Sequence, residues 1–363
     1  MAREFFHNFA VTDYLEAMES SGTRLDSGLG MNPHLDEQIL RDCLTRARWT
    51  INAYNTSAYD RLKDRLLHYW RIPGLTRANI TLGSGTFGIL RTTCLLALGP
   101  GRLSLGYAPQ FTRIQTETIL HNAEYRYVLM KDLYDTPTRP VGRFDSDRFL
   151  AAMTPDIRLV YLDNPNNPTG QIIPLAAVES VVAAANRMGC VVLVDEAYGD
   201  YMDMPGSAIN LVPQYDNLIV SRSASHFWGL PNHRIGYAFT SVDLADIFNR
   251  VSNPYPFSDY STEVFCAMLD RSEDMAISKS QTQQAKAQAM MYLPGLAYTS
   301  SRTPLMVLPL PTEKLTARGI VSESCAQYPG LGPQYSRIRI HRDIDSLISV
   351  LTYLMNAEDS AKT

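Results

Sequence analysis

The chain has 363 residues, 45% apolar and 19% charged. That allows one large or two ordinary domains with a normal core, and it is unlike a disordered or fibrous chain. A net charge of −4, from 33 basic and 37 acidic residues, leaves no basic footprint for nucleic acid, and no apolar run approaches the ~18 residues of a membrane span.

Neither nucleic acid nor a membrane is therefore expected as a partner. The first ten residues lack a charged region leading into an apolar stretch, so they do not read as a secretory signal. Cys43, Cys94, Cys190, Cys266 and Cys325 are scattered, with no CxxC pair. A reduced, cytoplasmic setting is expected, and no metal.

In chain order, residues 80–82 read as a strand that runs into Gly83-Ser84-Gly85-Thr86, and 87–98 as an apolar helix ended by Gly99-Pro100-Gly101. Strands at 103–107 and 125–130 flank a helix at 111–121. A helix at 145–153, capped by Asp145 or Ser146, precedes a strand at 158–162. Then come the loop Asn164-Pro165-Asn166-Asn167-Pro168-Thr169-Gly170 and an Ala/Val-rich helix at 175–188. Residues 190–194 are continuously apolar and end on Asp195 and Glu196, which suits a central parallel strand covered on both faces. Strands at 218–220 and 235–239 complete the alternation. The expected fold is α/β, a mostly parallel sheet with helices on both faces. After the break at Pro254-Tyr255-Pro256, a polar helical stretch at 261–291 and short strands at 305–308 and 337–340 suggest a smaller α+β domain. The expected division is 1–50 as an N-terminal arm and part of the small domain, 51–250 as the large domain, and 251–363 as the C-terminal small domain.

In such sheets ligands gather beyond the carboxyl ends of the strands. Ser84, Gly85 and Thr86 can offer N–H groups, hydroxyls and a helix N-terminus to an anion. Asn167, in a rigid turn-rich loop, can present its amide to a ligand oxygen. Asp195 must be paired or solvated; it can hold a proton on a heteroaromatic nitrogen, with Tyr198 in reach of the same ligand. Ser223, Ser225 and Arg234 flank the Gly229-Leu230-Pro231 turn and can converge on one phosphate. Each segment also has a plain structural reading: a helix cap, a turn, a satisfied acid, a salt-bridged loop.

Taken together, in this order and spacing, the segments resemble the fold-type I pyridoxal-phosphate enzymes of the class I/II aminotransferase family. The likeness spans roughly residues 25–345 and is carried by LVYLDNPNNPTG at 159–170 and VVLVDEAYGDY at 191–201. The resemblance implies that 51–250 is the cofactor-binding domain. It further implies that Ser84, Gly85, Thr86, Ser223 and Arg234 bind the cofactor phosphate, and that Phe111 stacks on the pyridine ring. Asn167 and Tyr198 would bond the ring hydroxyl oxygen, and Asp195 would pair with the ring nitrogen. Tyr54 would reach the phosphate of a neighbouring subunit, which implies a homodimer. Arg337 would clamp the carboxylate of an amino-acid or keto-acid substrate.

One departure stands out. The family places a lysine three residues after the position of Ser223 and eight before that of Arg234, and here both offsets give His226. The chain has six lysines, none between Lys131 and Lys279. A lysine amine holds the cofactor aldehyde as a Schiff base; imidazole cannot form that imine, but it moves protons near neutral pH. Three readings remain open. The chain binds pyridoxal phosphate or its amine form noncovalently, with His226 and Tyr198 as catalytic groups for transferase or lyase chemistry. It is a cofactor-independent enzyme with an anionic substrate in the old phosphate pocket. Or it is a noncatalytic binding protein. On a strand, Arg337, Arg339 and His341 share one face, which favours a substrate with two acidic groups or a phosphate; alternatively Arg339 snorkels to solvent or joins a salt bridge.

Overall fold

The computed structural model describes residues 25–28, 32–50, 52, 54–130, 142–293 and 302–362. Its elements are β1 (Leu25–Asp26), α1 (Glu37–Arg46), α2 (Ser57–Trp70), β2 (Ile80–Ser84), α3 (Gly85–Ala97), β3 (Leu103–Ala108), α4 (Arg113–Leu120), β4 (Glu124–Leu129), α5 (Ser146–Ala151), β5 (Ile157–Asp163), α6 (Leu175–Arg187), β6 (Val191–Asp195), β7 (Leu218–Ser223), β8 (Ile235–Thr240), α7 (Val242–Val251), α8 (Asp259–Leu269), α9 (Ser272–Tyr292), β9 (Leu305–Leu308), α10 (Thr312–Thr316), β10 (Ile320–Val321), β11 (Glu323–Ser324), β12 (Ser336–Arg339) and α11 (Ile344–Lys362).

Seven strands form one sheet in the order β2-β8-β7-β6-β5-β3-β4, and only β8 runs antiparallel to its neighbours. The apolar strands are explained by burial on both faces. Val160, Leu162, Val192 and Val194 enter a core with Val178, Val181 and Val182 of α6. Their alternates Leu159, Tyr161 and Leu193 enter another, with Ile89, Leu90 and Cys94 of α3 and Phe248 of α7. Each such side chain contributes roughly 1.5–3 kcal/mol of burial. The fold is α/β, with helices on both faces of a mostly parallel sheet. Asp145 is the cap of α5, accepting from the Arg148 N–H at 3.1 Å.

Two features differ from the sequence reading. Residues 37–70 carry two helices: α1 is capped by Asp36, which accepts from Gln38 N at 2.8 Å, and α2 buries Ala58, Leu62 and Leu66 at helical spacing. The polar stretch at 261–291 is two helices, because α8 ends at Asp270, whose N–H bonds back to Cys266 O at 3.2 Å. Val264 and Phe265 of α8 lie in the large-sheet core, as does Met275 early in α9, whereas Ala285 and Ala289 later in α9 join a second core with Met306, Ile338 and Leu347. The N-terminal stretch is divided in the same way: Leu25 packs in the second core, Leu35 and Cys43 in the first. The second core sits under a three-stranded sheet, β11-β12-β9. Among the described residues no helix is long and apolar enough to cross a membrane.

Candidate active site

Parallel pairing sets Asp163, at the end of β5, beside Asp195, at the end of β6. Beyond these ends lies a cleft lined by Thr86, Phe111, Asn167, Asp195, Tyr198, His226 and Arg337, all anticipated from the sequence, and by Tyr161 and Asp163, which were not.

Asp195 is buried. Its carboxylate accepts from Tyr161 Oη at 3.0 Å, Ser221 Oγ at 3.1 Å and Ala197 N at 3.1 Å. Burial pushes its pKa up to about 7, and the charge of Asp163 adds to this; the bonds from Tyr161, Ser221 and Ala197 act against it. All three donors are neutral. The next residue, Glu196, behaves otherwise: it pairs with buried Arg222 at 2.6 Å and accepts from Ser207 and Ala208, both at 2.7 Å, so it belongs to the scaffold.

Asp163 ties two parts of the cleft lining together. Its Oδ2 accepts from Asn167 N at 2.9 Å and Phe111 N at 3.1 Å. Burial raises its pKa, and those backbone donors counter the rise. Its signal was present in the sequence, as the acid in LDNPNNPTG. Asn167 Oδ1 accepts from Arg337 Nη1 at 2.8 Å.

His226 lies in the turn after β7. That turn is closed by Ala224 N donating to Ile235 O at 3.1 Å and Leu230 N to Ala224 O at 3.1 Å. Asn32 fastens the N-terminal segment to it, Nδ2 donating to Phe227 O at 3.0 Å. The imidazole stacks on the ring of Tyr198. Among the described residues no lysine lines the cleft; Lys279 donates to Met202 O and Lys286 to Thr303 O and Leu305 O.

The β2-to-α3 turn is shaped by glycines. Gly85 has φ +69°, and a Cβ there would lie 2.5 Å from Arg234 Nη2. A Cβ on Gly236 would come within 2.3 Å of the Gly85 carbonyl carbon. The missing side chains let the Arg234 guanidinium lie across the start of α3, steadied by Nη1 donating to Pro231 O at 2.9 Å. Two neighbouring hydroxyls are engaged locally: Ser84 Oγ donates to Pro256 O at 2.6 Å, and Ser223 Oγ accepts from Ser225 N at 3.0 Å.

Of the residues anticipated at the phosphate only Thr86 lines the cleft; Ser84, Gly85, Ser223, Ser225 and Arg234 do not, and Tyr54, Arg339 and His341 also stand apart from its lining. Tyr54 is 80% exposed and stacks on Tyr255, with centroids 4.2 Å apart. Arg339 is buried, so it does not snorkel; its Nη2 donates to Asp26 O at 3.0 Å. Burial, first, and then the charge of Arg337 lower its pKa, while Tyr201, Asp26 and Tyr198 act the other way. His341 is half-buried, and its Nδ1 accepts from Asp343 N at 3.0 Å. Of the three expected on one strand face, only Arg337 lines the cleft. Its guanidinium also meets Glu323, Nη2 to Oε2 at 2.5 Å, a partner the sequence did not suggest.

The arrangement fits part of pyridoxal phosphate. A glycine-made cradle under a guanidinium suits its phosphate, and a buried carboxylate with only neutral donors suits a cationic ring nitrogen. A lysine tether to its aldehyde does not fit.

A family model described as aminotransferase class I and II matches residues 27–345. Histidinol-phosphate aminotransferase 1 of Cupriavidus pinatubonensis is 33% identical over 217 residues, covering 59% of this chain and 55% of that one. Histidinol-phosphate aminotransferase of Methanococcoides burtonii is 27% identical over 322 residues, covering 87% and 84%. The matched region spans about half the length of some of these curated relatives, 52% for the Dechloromonas aromatica one and 55% for that of C. pinatubonensis. Among solved structures, histidinol-phosphate aminotransferase from Clostridium acetobutylicum matches with a TM-score of 0.80 at 17% identity, over 92% of this chain and 99% of that one. The Sinorhizobium meliloti structure, in complex with pyridoxal-5'-phosphate, matches with a TM-score of 0.77 at 20% identity, over 97% and 96%. At these identities the structural likeness speaks for the fold.

Proposed function

The chain belongs to the class I and II aminotransferase family, and from that premise we propose that it binds pyridoxal phosphate or pyridoxamine phosphate without a covalent tether. It acts on an amino-acid-type substrate or its carbonyl counterpart, with His226 as acid and base. The observation that supports this reading is a cleft lined by Asp195, His226 and Thr86, with the Arg234 guanidinium lying against Gly85, the residue before Thr86.

When bound, the cofactor supplies an electron sink for a carbanion on the substrate. Arg234 and the start of α3 hold its phosphate. Phe111, its backbone fixed by Asp163, covers the ring. Asp195 keeps a proton on the ring nitrogen; a cation at its carboxylate would restore the ionised form that burial disfavours. Asn167 gives its Oδ1 to Arg337, which leaves its Nδ2 as the donor for a ring oxygen. His226 moves the proton at the substrate carbon, and Tyr198, stacked beneath it, sets the plane of the imidazole.

The site is shared between two copies of the chain. Supporting this are the exposed Tyr54–Tyr255 stack and its closeness in sequence to Pro256, which bonds Ser84 at the cradle. Five buried cysteines without disulfides suit a cytoplasmic location. The relatives' names make small phosphate-bearing amines the first substrates to try.

The test is a visible spectrum on mixing with pyridoxal phosphate, then borohydride reduction and mass measurement. Saturable binding with no added mass is expected. Covalent trapping overturns the noncovalent reading, and absence of saturable binding favours chemistry without the cofactor.

A further inference from the structure

We infer that Glu323 is a specificity-determining residue: it competes with a substrate carboxylate for Arg337, so the cleft favours substrates that carry a neutral group in that place. The inference rests on the reading of the cleft as a substrate site and departs from it in one point: in place of the α-carboxylate of an amino acid, the favoured amine or carbonyl compound carries a neutral group.

The argument begins with strand register. Glu323 on β11 is the direct antiparallel partner of Arg337 on β12, so their side chains leave the sheet side by side. Both are buried, at 5% and 2% exposure. Arg337 Nη2 meets Glu323 Oε2 at 2.5 Å and Nη1 donates to Asn167 Oδ1 at 2.8 Å. Both terminal nitrogens of the fork are thus already engaged. A carboxylate entering bidentately needs a matched pair of N–H groups, so it must share with Glu323 or displace it.

Displacement is opposed by how Glu323 is held. Its Oε1 accepts from Tyr328 Oη at 2.8 Å and Gln327 Nε2 at 3.1 Å. A carboxylate pushed off its arginine inside the protein leaves a buried charge uncompensated, which is strongly unfavourable. Charge counting points the same way. Arg337 and Glu323 neutralise each other, and among the described residues no other arginine or lysine lines the cleft. A substrate carboxylate would bring an excess anion to a neutral pair, whereas a hydroxymethyl group would not. It can also accept from Arg337 or donate to Glu323 without breaking their contact.

The experiment compares pyruvate with hydroxyacetone, which differ only in carboxylate against hydroxymethyl, by calorimetric titration. It uses the full-length protein, free and saturated with pyridoxamine phosphate, as wild type, Glu323→Gln and Tyr328→Phe. Glu323→Gln keeps the shape and removes the charge. It is expected to tighten pyruvate binding by about tenfold or more, the effect of one tenfold step in affinity, and to change hydroxyacetone by less than about threefold. Tyr328→Phe, which removes the 2.8 Å bond to Glu323 and a longer 3.5 Å contact to Asn167 Oδ1 but keeps the Arg337 side chain, shifts pyruvate the same way by a smaller factor and covers the case in which Glu323→Gln does not fold. A pyruvate-to-hydroxyacetone ratio unchanged by both substitutions overturns the inference, as does failure of either ligand to bind any form. Failure of pyridoxamine phosphate to bind while the ratio still shifts overturns the cofactor reading instead and leaves the role of Glu323 standing.

Discussion

The imidazole of His226 lies nearly parallel to the phenol ring of Tyr198, with centroids 4.1 Å apart and planes 14° apart. This stack holds the ring flat at the cleft, in the position of the family's lysine. On the proposed reading the imidazole is a proton carrier with a fixed plane. His226→Asn is expected to lower turnover by about 10²–10⁴-fold, the usual contribution of a general base, while the dissociation constant for pyridoxal phosphate stays within about threefold. Steady-state kinetics and a visible titration read the two effects separately. The companion change His226→Lys should add a cofactor-linked absorbance band that borohydride fixes to the chain.

Asp195 ties stability to pH. Its pKa in the fold is about 7, above the ordinary 3.8. Between those values the folded state binds more protons than the unfolded one, so the stability it contributes is complete below about pH 4 and is lost as pH rises through 7. Asp195→Asn should therefore stabilise the cofactor-free protein at pH 7–8 by on the order of 1–3 kcal/mol, with the gain vanishing towards pH 4. The same change should weaken cofactor binding. Thermal unfolding at a series of pH values checks the first expectation and a titration the second.

Gly85 is the point where the cradle meets the Arg234 guanidinium. With φ at +69° and no room for a Cβ beside Arg234, Gly85→Ala carries both a backbone cost of about 1–2 kcal/mol and a displaced guanidinium. The expected outcome is a clear drop in urea midpoint and an affinity for pyridoxal phosphate weakened by about tenfold or more. An unchanged affinity would detach Arg234 from the phosphate.

Lys286 is fully buried on α9, and burial pulls its pKa down to about 7 from 10.5. The unfolded state then binds more protons between those values. The stability is complete above about pH 10.5 and is lost as pH falls through 7. Lys286→Met should accordingly gain on the wild type as pH is lowered from 10 to 7, by on the order of 1–3 kcal/mol over that range. Denaturant unfolding at pH 7, 8.5 and 10 reads the slope; no difference in slope would mean that the amine reaches solvent.

What could be read in the sequence is what chain neighbours decide. Continuous apolar runs gave β5 and β6 close to their true limits, because strands covered on both faces need apolar side chains at every position. The Asp195 and Asn167 motifs and the Gly85 turn could be read from local residues, whereas the histidine at 226 stood out only against the lysine that the family resemblance places there. Helices α1 and α2 went unread, and the α8–α9 break at Asp270 is missed because 261–291 reads as one polar helical stretch, although α8 buries Val264, Phe265 and Leu269.

Tertiary pairing alone decided the rest. Asp163 became a support for Phe111 and Asn167 because a loop folds back over the end of its own strand. Arg339 was withdrawn from the cleft by the backbone of Asp26, more than three hundred residues away in sequence. Glu323 met Arg337 only because two short strands pair in one register. A one-residue slip of that register would turn each side chain to the opposite face. No local pattern records such a register; it is fixed by the cores that the strands cover.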